Sequence, residues 1–452
     1  PGSRHLVPHH ERRFSTMKRW TRTVAVAAAL TLGLAACSDP SADGPADTTV
    51  SWPAPTGRLD GVSLTIWAAQ NSNTVPKKVI EGFQAATGAR VEVVTIPDPY
   101  EQGIQTKVAT GDKPDLAFWQ PTASMLTAIN ARSNLQPLTD APWLPAMAPQ
   151  LRDITGLLDG TRYAALVTSP AVEGVYYNKE VLAAHGVTAP PKNFDEMVAV
   201  ARQLKAKGVT PFHEMGADRW ATQWWVQVQL ADAAKNGLWD RINTGQEKFT
   251  DPTVLGAIKK YQALIDEGLF NPDIKTAKFE DQGAALLDGK AAMVVQVNSF
   301  FGQLQAKADT ATLNKKIGFF PISPSGNVGT FIPDQSNALV AFATGEPKRE
   351  AAARQLLAYW MGPGYQDFLA DRNTVSLQTA VPDPAGVPQA LRDVHAALPA
   401  SVGSMQAQAV ANPDLFLNLA DMIAGTTTPE QAAKATQDQF AQLAKAAGVS
   451  GF

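Results

Sequence analysis

Cysteine is nearly missing from this chain: Cys37 is the single one in 452 residues, so no internal disulfide can form and stability must come from packing. Histidine is scarce as well. Of 6 in all, only His185, His213 and His395 lie beyond the first 36 residues, and they are scattered, which leaves histidine-based catalysis little to build on. No Gly-x-Ser-x-Gly, no His-Glu-x-x-His and no phosphate-cradling glycine loop occurs. There is no excess of positive charge either. A formal net charge of -3 excludes the basic footprint that duplex binding requires, so no nucleic-acid partner is expected. Finally, no apolar run is long enough to span a bilayer, which takes roughly 20 residues.

What is present begins near the N-terminus. Residues 17–22 are basic, residues 24–34 are apolar apart from Thr31 and Gly33, and Leu34-Ala35-Ala36-Cys37 follows. A basic head, a short apolar stretch and small residues before a cut site describe a secretory signal. The arrangement around Cys37 resembles a bacterial lipobox, in which the thiol is lipidated and becomes the new N-terminus. Residues 1–16 then form an upstream extension and 17–36 a lipoprotein signal peptide. Residues 37–61, rich in Ser, Asp, Pro, Gly and Ala, read as a flexible tether. The expected location is extracytoplasmic, on the outer face of the membrane, through a lipid alone.

The body alternates strand and helix patterns. Strands are expected at 62–67, 91–96 and 114–119, with helices at 76–87 and 100–110 between them. This is the pattern of a mainly parallel sheet flanked by helices. Such sheets hold ligands at the carboxyl ends of their strands. Further helices are expected at 179–185, 190–207, 253–267, 282–287, 347–361, 365–371 and 429–447, and strands at 164–168, 172–177, 291–297 and 338–343. With 45% hydrophobic residues the chain has material for a sizeable core.

Several segments resemble family 1 extracellular solute-binding proteins of ABC importers, the maltose-binding group in particular. They are Leu64-Thr65-Ile66-Trp67, Gly111-Asp112-Lys113-Pro114-Asp115, Glu173-Gly174-Val175-Tyr176-Tyr177-Asn178-Lys179 and Gly289-Lys290-Ala291-Ala292-Met293, in the family's order. The resemblance implies an α/β, two-lobed periplasmic-binding-protein fold with the ligand cleft between the lobes. It places 62–168 plus 298–342 in lobe 1 and 169–297 plus 343–452 in lobe 2, with crossings near 164–170, 298 and 342. Lobe closure would be a hinge motion, and importer permease subunits would read the closed state. A monomer without cofactor or metal is expected.

A sugar presents hydroxyls at its edge and C–H groups on its faces, so its site needs aromatic platforms and side chains with paired donors and acceptors. With 10 Trp against 7 Tyr, Trp is the expected platform. The resemblance points to Trp119 for stacking, with Gln120 beside it, to Glu101 and Glu173 for hydroxyls, and to Asn71 and Ser72 for polar contacts. It also places Glu214, Trp220 and Trp224 at the second lobe's wall. Asn298-Ser299-Phe300-Phe301 stands where relatives carry Gly and then Trp, so Phe300 or Phe301 is the substitute platform the resemblance leaves open. Gln335 lies in a polar loop before a strand. The late aromatic of maltose-binding relatives is missing, with Ala411-Asn412-Pro413 near its place.

Three other classes stay open. The same fold could hold a polyamine or a metal–anion complex. An exported glycosidase would need two carboxylates roughly 5–10 Å apart across the bond, for which Glu101, Glu173 and Glu214 are candidates. A lipoprotein that docks a partner would need no solute.

Overall fold

The computed structural model describes residues 50–69, 75–97 and 99–452. Asn71, Ser72, Cys37 and the signal segment lie outside the described residues. The strands in chain order are β1 (Ser63–Ala69), β2 (Arg90–Ile96), β3 (Leu116–Phe118), β4 (Leu157–Leu158), β5 (Thr161–Arg162), β6 (Ala164–Leu166), β7 (Ala171–Asn178), β8 (Thr210–Phe212), β9 (Ala291–Gln296), β10 (Ile317–Phe320), β11 (Thr330–Ile332), β12 (Ala338–Ala341) and β13 (Val402–Gly403). They build two large sheets and the small β4–β5 hairpin.

The first sheet has the order β2-β1-β3-β12-β6 and the second the order β13-β11-β7-β9-β8, with β10 also on β7. In the first sheet β1 is parallel to β2 and β3, while β12 runs antiparallel to β3 and β6. In the second, β7 runs antiparallel to β9, β10 and β11. Each sheet is therefore mainly parallel with one reversed strand. That strand is the one laid down as the chain arrives from the other sheet: β7 after residues 167–170, and β12 after residues 333–337.

Local chemistry sets the flanking helices. Lys77–Thr87 stops at Gly88, whose φ of 80° is a left-handed conformation glycine adopts without steric cost. Asn193 caps Phe194–Ala206 by accepting from the Glu196 N–H. A Thr428–Gln431 capping box starts Pro429–Ala446. Side chains along β7 alternate between faces. Val172 and Tyr176 join the apolar cluster that surrounds the first sheet and runs across one face of the second, while Val175 joins the cluster on the opposite face.

Three expectations need correction. The chain does not return to the first lobe near 298, because β10 and β11 both pair with β7 and keep residues 317–332 in the second sheet. The return is at 333–337. Residues 343–372 do not belong to the second lobe, since helices Pro347–Trp360 and Tyr365–Arg372 pack against β1, β12 and the helix Lys77–Thr87. A third passage, at 373–388, leads to helix Gln389–Ala397, which lies on β10 and β7. Nor is residue range 37–61 loose throughout. The Trp52 indole N–H donates to the Thr139 carbonyl at 3.0 Å and its ring meets Trp143 edge-on at 5.1 Å. Gln355 Nε2 donates to the Gly57 carbonyl at 2.7 Å, and Leu59 N to the Thr87 carbonyl at 2.7 Å. Residues 51–61 are a strap laid on the first lobe.

Candidate functional site

The first two crossing segments run side by side and are joined mainly through one residue. Val167 N and Thr168 N donate to the Asn337 carbonyl at 2.8 and 3.2 Å, and Asn337 Nδ2 donates to Thr168 Oγ1 and the Ser169 carbonyl, both at 3.0 Å. Asn337 is held in turn by the Asp334 N–H, which donates to its Oδ1 at 2.8 Å. Such a pair of connections permits the lobes to rotate about a defined line.

Beside this line lies a cavity of about 140 Å³. Its first-lobe wall comes from residues 121–123, past the carboxyl end of β3, and residues 153–157; Pro333 closes the hinge side and Ala407 is the second lobe's contribution. This is the edge at which α/β sheets hold ligands. Its volume is below the roughly 300 Å³ of a ligand-filled pocket. A single charged group lines it, Asp153, and its carboxylate already accepts from Arg162 at 2.7 Å.

The expected site residues fall into three settings. Those near the crossings are Gln120, Gln335, Asn298 and Glu173. Gln120 Nε2 donates to the Pro333 carbonyl at 3.0 Å, tying the end of β3 to the hinge. Gln335 follows Asp334 in the hinge turn, and its Oε1 is buried without a partner. Asn298, past the carboxyl end of β9, accepts from Val172 N at 3.2 Å. Glu173 is fully buried near the start of β7, and neither carboxylate oxygen has a hydrogen-bond partner among the described residues. Burial pushes its carboxyl well above the usual carboxylate range. Its cross-strand neighbour Thr330 is buried with its hydroxyl also unpartnered.

Glu101, Trp220 and Trp224 stand at other sheet or helix ends. Tyr100 donates to the carbonyls of Trp67 at 3.1 Å and Phe118 at 2.8 Å, which locks the helix Tyr100–Ala109 to the ends of β1 and β3 and sets half-buried Glu101 in its first turn. Trp220, half-buried, lies past the carboxyl end of β8 and meets Phe279 edge-on at 5.0 Å and Trp224 at 6.3 Å. Trp224 is buried with its indole N–H unpartnered.

The remaining three sit in the core. Trp119 is 0% exposed. Its backbone N–H extends the β3 ladder to the Ala338 carbonyl, and its indole N–H donates to the Met125 carbonyl at 3.1 Å. No ring face is open for stacking in this structure. Phe300 is likewise 0% exposed, its ring 5.3 Å from Tyr176 and 6.2 Å from Phe279, so it fills core space and offers no platform. Glu214 lies in the second lobe's interior, where its carboxylate accepts from Met215 N at 2.7 Å and Tyr261 OH at 3.2 Å. Desolvation raises its carboxyl to about 7 against these hydrogen bonds. The three acids weighed as a hydrolytic pair thus occupy three separate settings, and none lines the cavity.

Sequence reasoning passed over Thr330 and the buried amides Gln223, Gln227 and Gln406. A signal existed for two of them: Gln223 and Gln227 are one helical turn apart in an otherwise apolar stretch, so both face the interior. No group of His, Cys, Asp or Glu able to hold a metal occurs among the described residues.

Two α/β lobes joined by paired crossings, with a cleft at their strand ends, define a solute-binding fold. The profile of the family described as bacterial extracellular solute-binding protein matches residues 68–367, and the chain belongs to that family. A solved chitin oligosaccharide binding protein is 22% identical with a TM-score of 0.73, covering 85% of this chain and 99% of its own. A solute-binding protein solved in complex with raffinose is 18% identical with a TM-score of 0.70, covering 85% and 100%. A protein of Brucella abortus (strain 2308) described as a binding protein is 25% identical over 203 residues, 43% of this chain and 46% of its own. The chain spans about half the length of the curated relatives it matches. Among the described residues no helix is long and apolar enough to cross a membrane.

Proposed function

We propose that this chain is the substrate-binding lipoprotein of an ABC importer, which captures a mono- or oligosaccharide between its lobes and presents it to a membrane permease. The observation that carries the reading is the cavity shared by both lobes beside the paired crossing segments. Groups buried near the crossings, outside the cavity lining itself, carry hydrogen-bonding capacity that suits a polyol. Glu173, Thr330 and Gln335 keep unused hydrogen-bonding atoms, and a hydroxyl-rich ligand can both donate and accept. Trp220, partly exposed past β8, is the aromatic face on offer, while stacking on Trp119 would require its cover to move. Chitin oligosaccharide and raffinose, named for two structural neighbours, fix the first sugars to try.

The test is thermal melting of the full chain with raffinose, chitin oligosaccharides, galactose and, as control, spermidine. A ligand that binds only the folded state at 100 times its Kd adds about 2.7 kcal/mol, a rise of several degrees. A rise with one sugar class, with the sugar recovered intact, is expected. A response to spermidine alone would replace the substrate, and consumption of the sugar would replace binding by catalysis. For the anchor, Cys37→Ser should move the chain from the membrane fraction to the medium; retention in the membrane fraction would refute lipidation at Cys37.

A further inference from the structure

The cavity wall of the second lobe is a single helical turn, Met405–Gln408, through Ala407. Its Cα atoms come within 8 Å of those of Ala123–Ala128 in the first lobe, so this turn is where the lobes meet across the cleft. A turn of four residues has little stability of its own. Its position must come from outside.

Three buried amides supply it. Gln227 Nε2 donates to Gln406 Oε1 at 2.8 Å, Gln406 Nε2 donates to Gln223 Oε1 at 2.6 Å, and Gln227 Oε1 accepts from Met405 N at 2.9 Å. Gln227 Nε2 also lies 3.4 Å from Gln223 Oε1, and Gln223 Nε2 donates to the Trp220 carbonyl at 3.1 Å. At the far end Asn243 Nδ2 donates to the Gln408 carbonyl and Asn243 Oδ1 accepts from Val410 N, both at 2.9 Å. The turn also follows directly on β13, which pairs with β11, the strand that leads into the hinge. Leucine or methionine would fill the same space without burying polar groups. A closed amide ring adds directionality: each bond fixes an orientation that apolar packing leaves free.

We propose that Met405–Gln408 is the closing lip of the second lobe, and that Gln223, Gln227 and Gln406 are positioning residues that set its distance from the first lobe and hence the aperture offered to ligand. That the aperture admits a sugar rests on the function proposed above; the lip and its ring do not.

The experiment uses the full chain with Cys37→Ser and spin labels at Thr127→Cys and Gln408→Cys, both exposed positions on the facing turns. Label-to-label distances are read without sugar and with raffinose, in the parent and in Gln406→Met. Because removing one amide strands its partners, a Gln223→Leu/Gln227→Met/Gln406→Met triple variant keeps the core filled with no orphaned amide side chain in the ring. The parent should show a short, narrow distance, and each variant should lose at least half of that population to longer, broader distances while still melting cooperatively. Unchanged distances in a folded triple variant, or no short distance in the parent, would overturn the proposal. If the variants broaden as expected but raffinose alters nothing in the parent, the lip stands and the choice of sugar falls.

Discussion

The two lobes bury their acids in opposite ways. In the first, Asp115 has no side-chain exposure, yet Arg349 approaches both of its oxygens at 3.0 and 2.9 Å and Thr65 N donates to one of them at 2.8 Å. In the second, Glu173 is fully buried without a partner, and Glu214 has only neutral donors. A carboxylate stripped of water without a cation keeps its proton to higher pH. Both second-lobe acids are shifted upward for this reason. The first lobe is thus neutralised internally, and the second retains unspent polar capacity next to the hinge.

The contrast can be erased or sharpened by substitution. Arg349→Met should have the largest effect, because it gives the first lobe a buried acid without a cation. With Arg349 about one-third exposed, so that water can partly replace it, the loss should be about 3 kcal/mol in a denaturant titration at pH 7. Next comes the pH dependence set by Glu214. Its carboxyl stands at about 7 folded against 4.5 for the free group, so the folded state holds the proton more tightly. Stability from this group is complete below pH 4.5 and drains away as pH rises to about 7, by about 3 kcal/mol. The difference between wild type and Glu214→Gln, measured from pH 4 to 8, should show that slope and flatten above 7; a constant difference would remove the titration. Smallest is Glu173→Gln. Relieving a stranded carboxyl should add about 1 kcal/mol at pH 8 without sugar and weaken sugar binding roughly tenfold. A gain in stability with unchanged affinity would make Glu173 a structural acid only.

Much of the first lobe was legible before the structure. β1 to β3 and their helices alternate cleanly, and stops such as Gly88 mark the boundaries in the chain itself. The crossings were less so. β10 and β11 are short runs of four and three residues, and nothing in such a run states which sheet it will join; that is decided by pairing with β7. The aromatic positions were ambiguous for a related reason. A tryptophan at a strand end looks the same whether its ring faces a ligand or covers the sheet, and Trp119 covers it. Asn298 and Gln335 lie in polar loops at strand ends, whereas the glutamine ring joins Gln227 to Gln406, 179 residues further on, and no local pattern links the two. Trp52 reads as out of place in a tether-like composition because its partner Trp143 lies 91 residues away in the chain, beyond the reach of any local pattern.

That strap has a mechanical meaning. Among the described residues its attachments are to one lobe: Thr139, Trp143, Gln355, Thr87, and Arg354, whose Nε donates to the Ser51 carbonyl at 3.2 Å. A pull on the chain from its N-terminal side therefore enters through the first lobe and reaches the second only by way of the hinge. If the chain is held by its N-terminal side, as the proposed lipid anchor would hold it, the first lobe would be the fixed jaw and any closure would swing the second lobe, with its Met405–Gln408 turn, toward it.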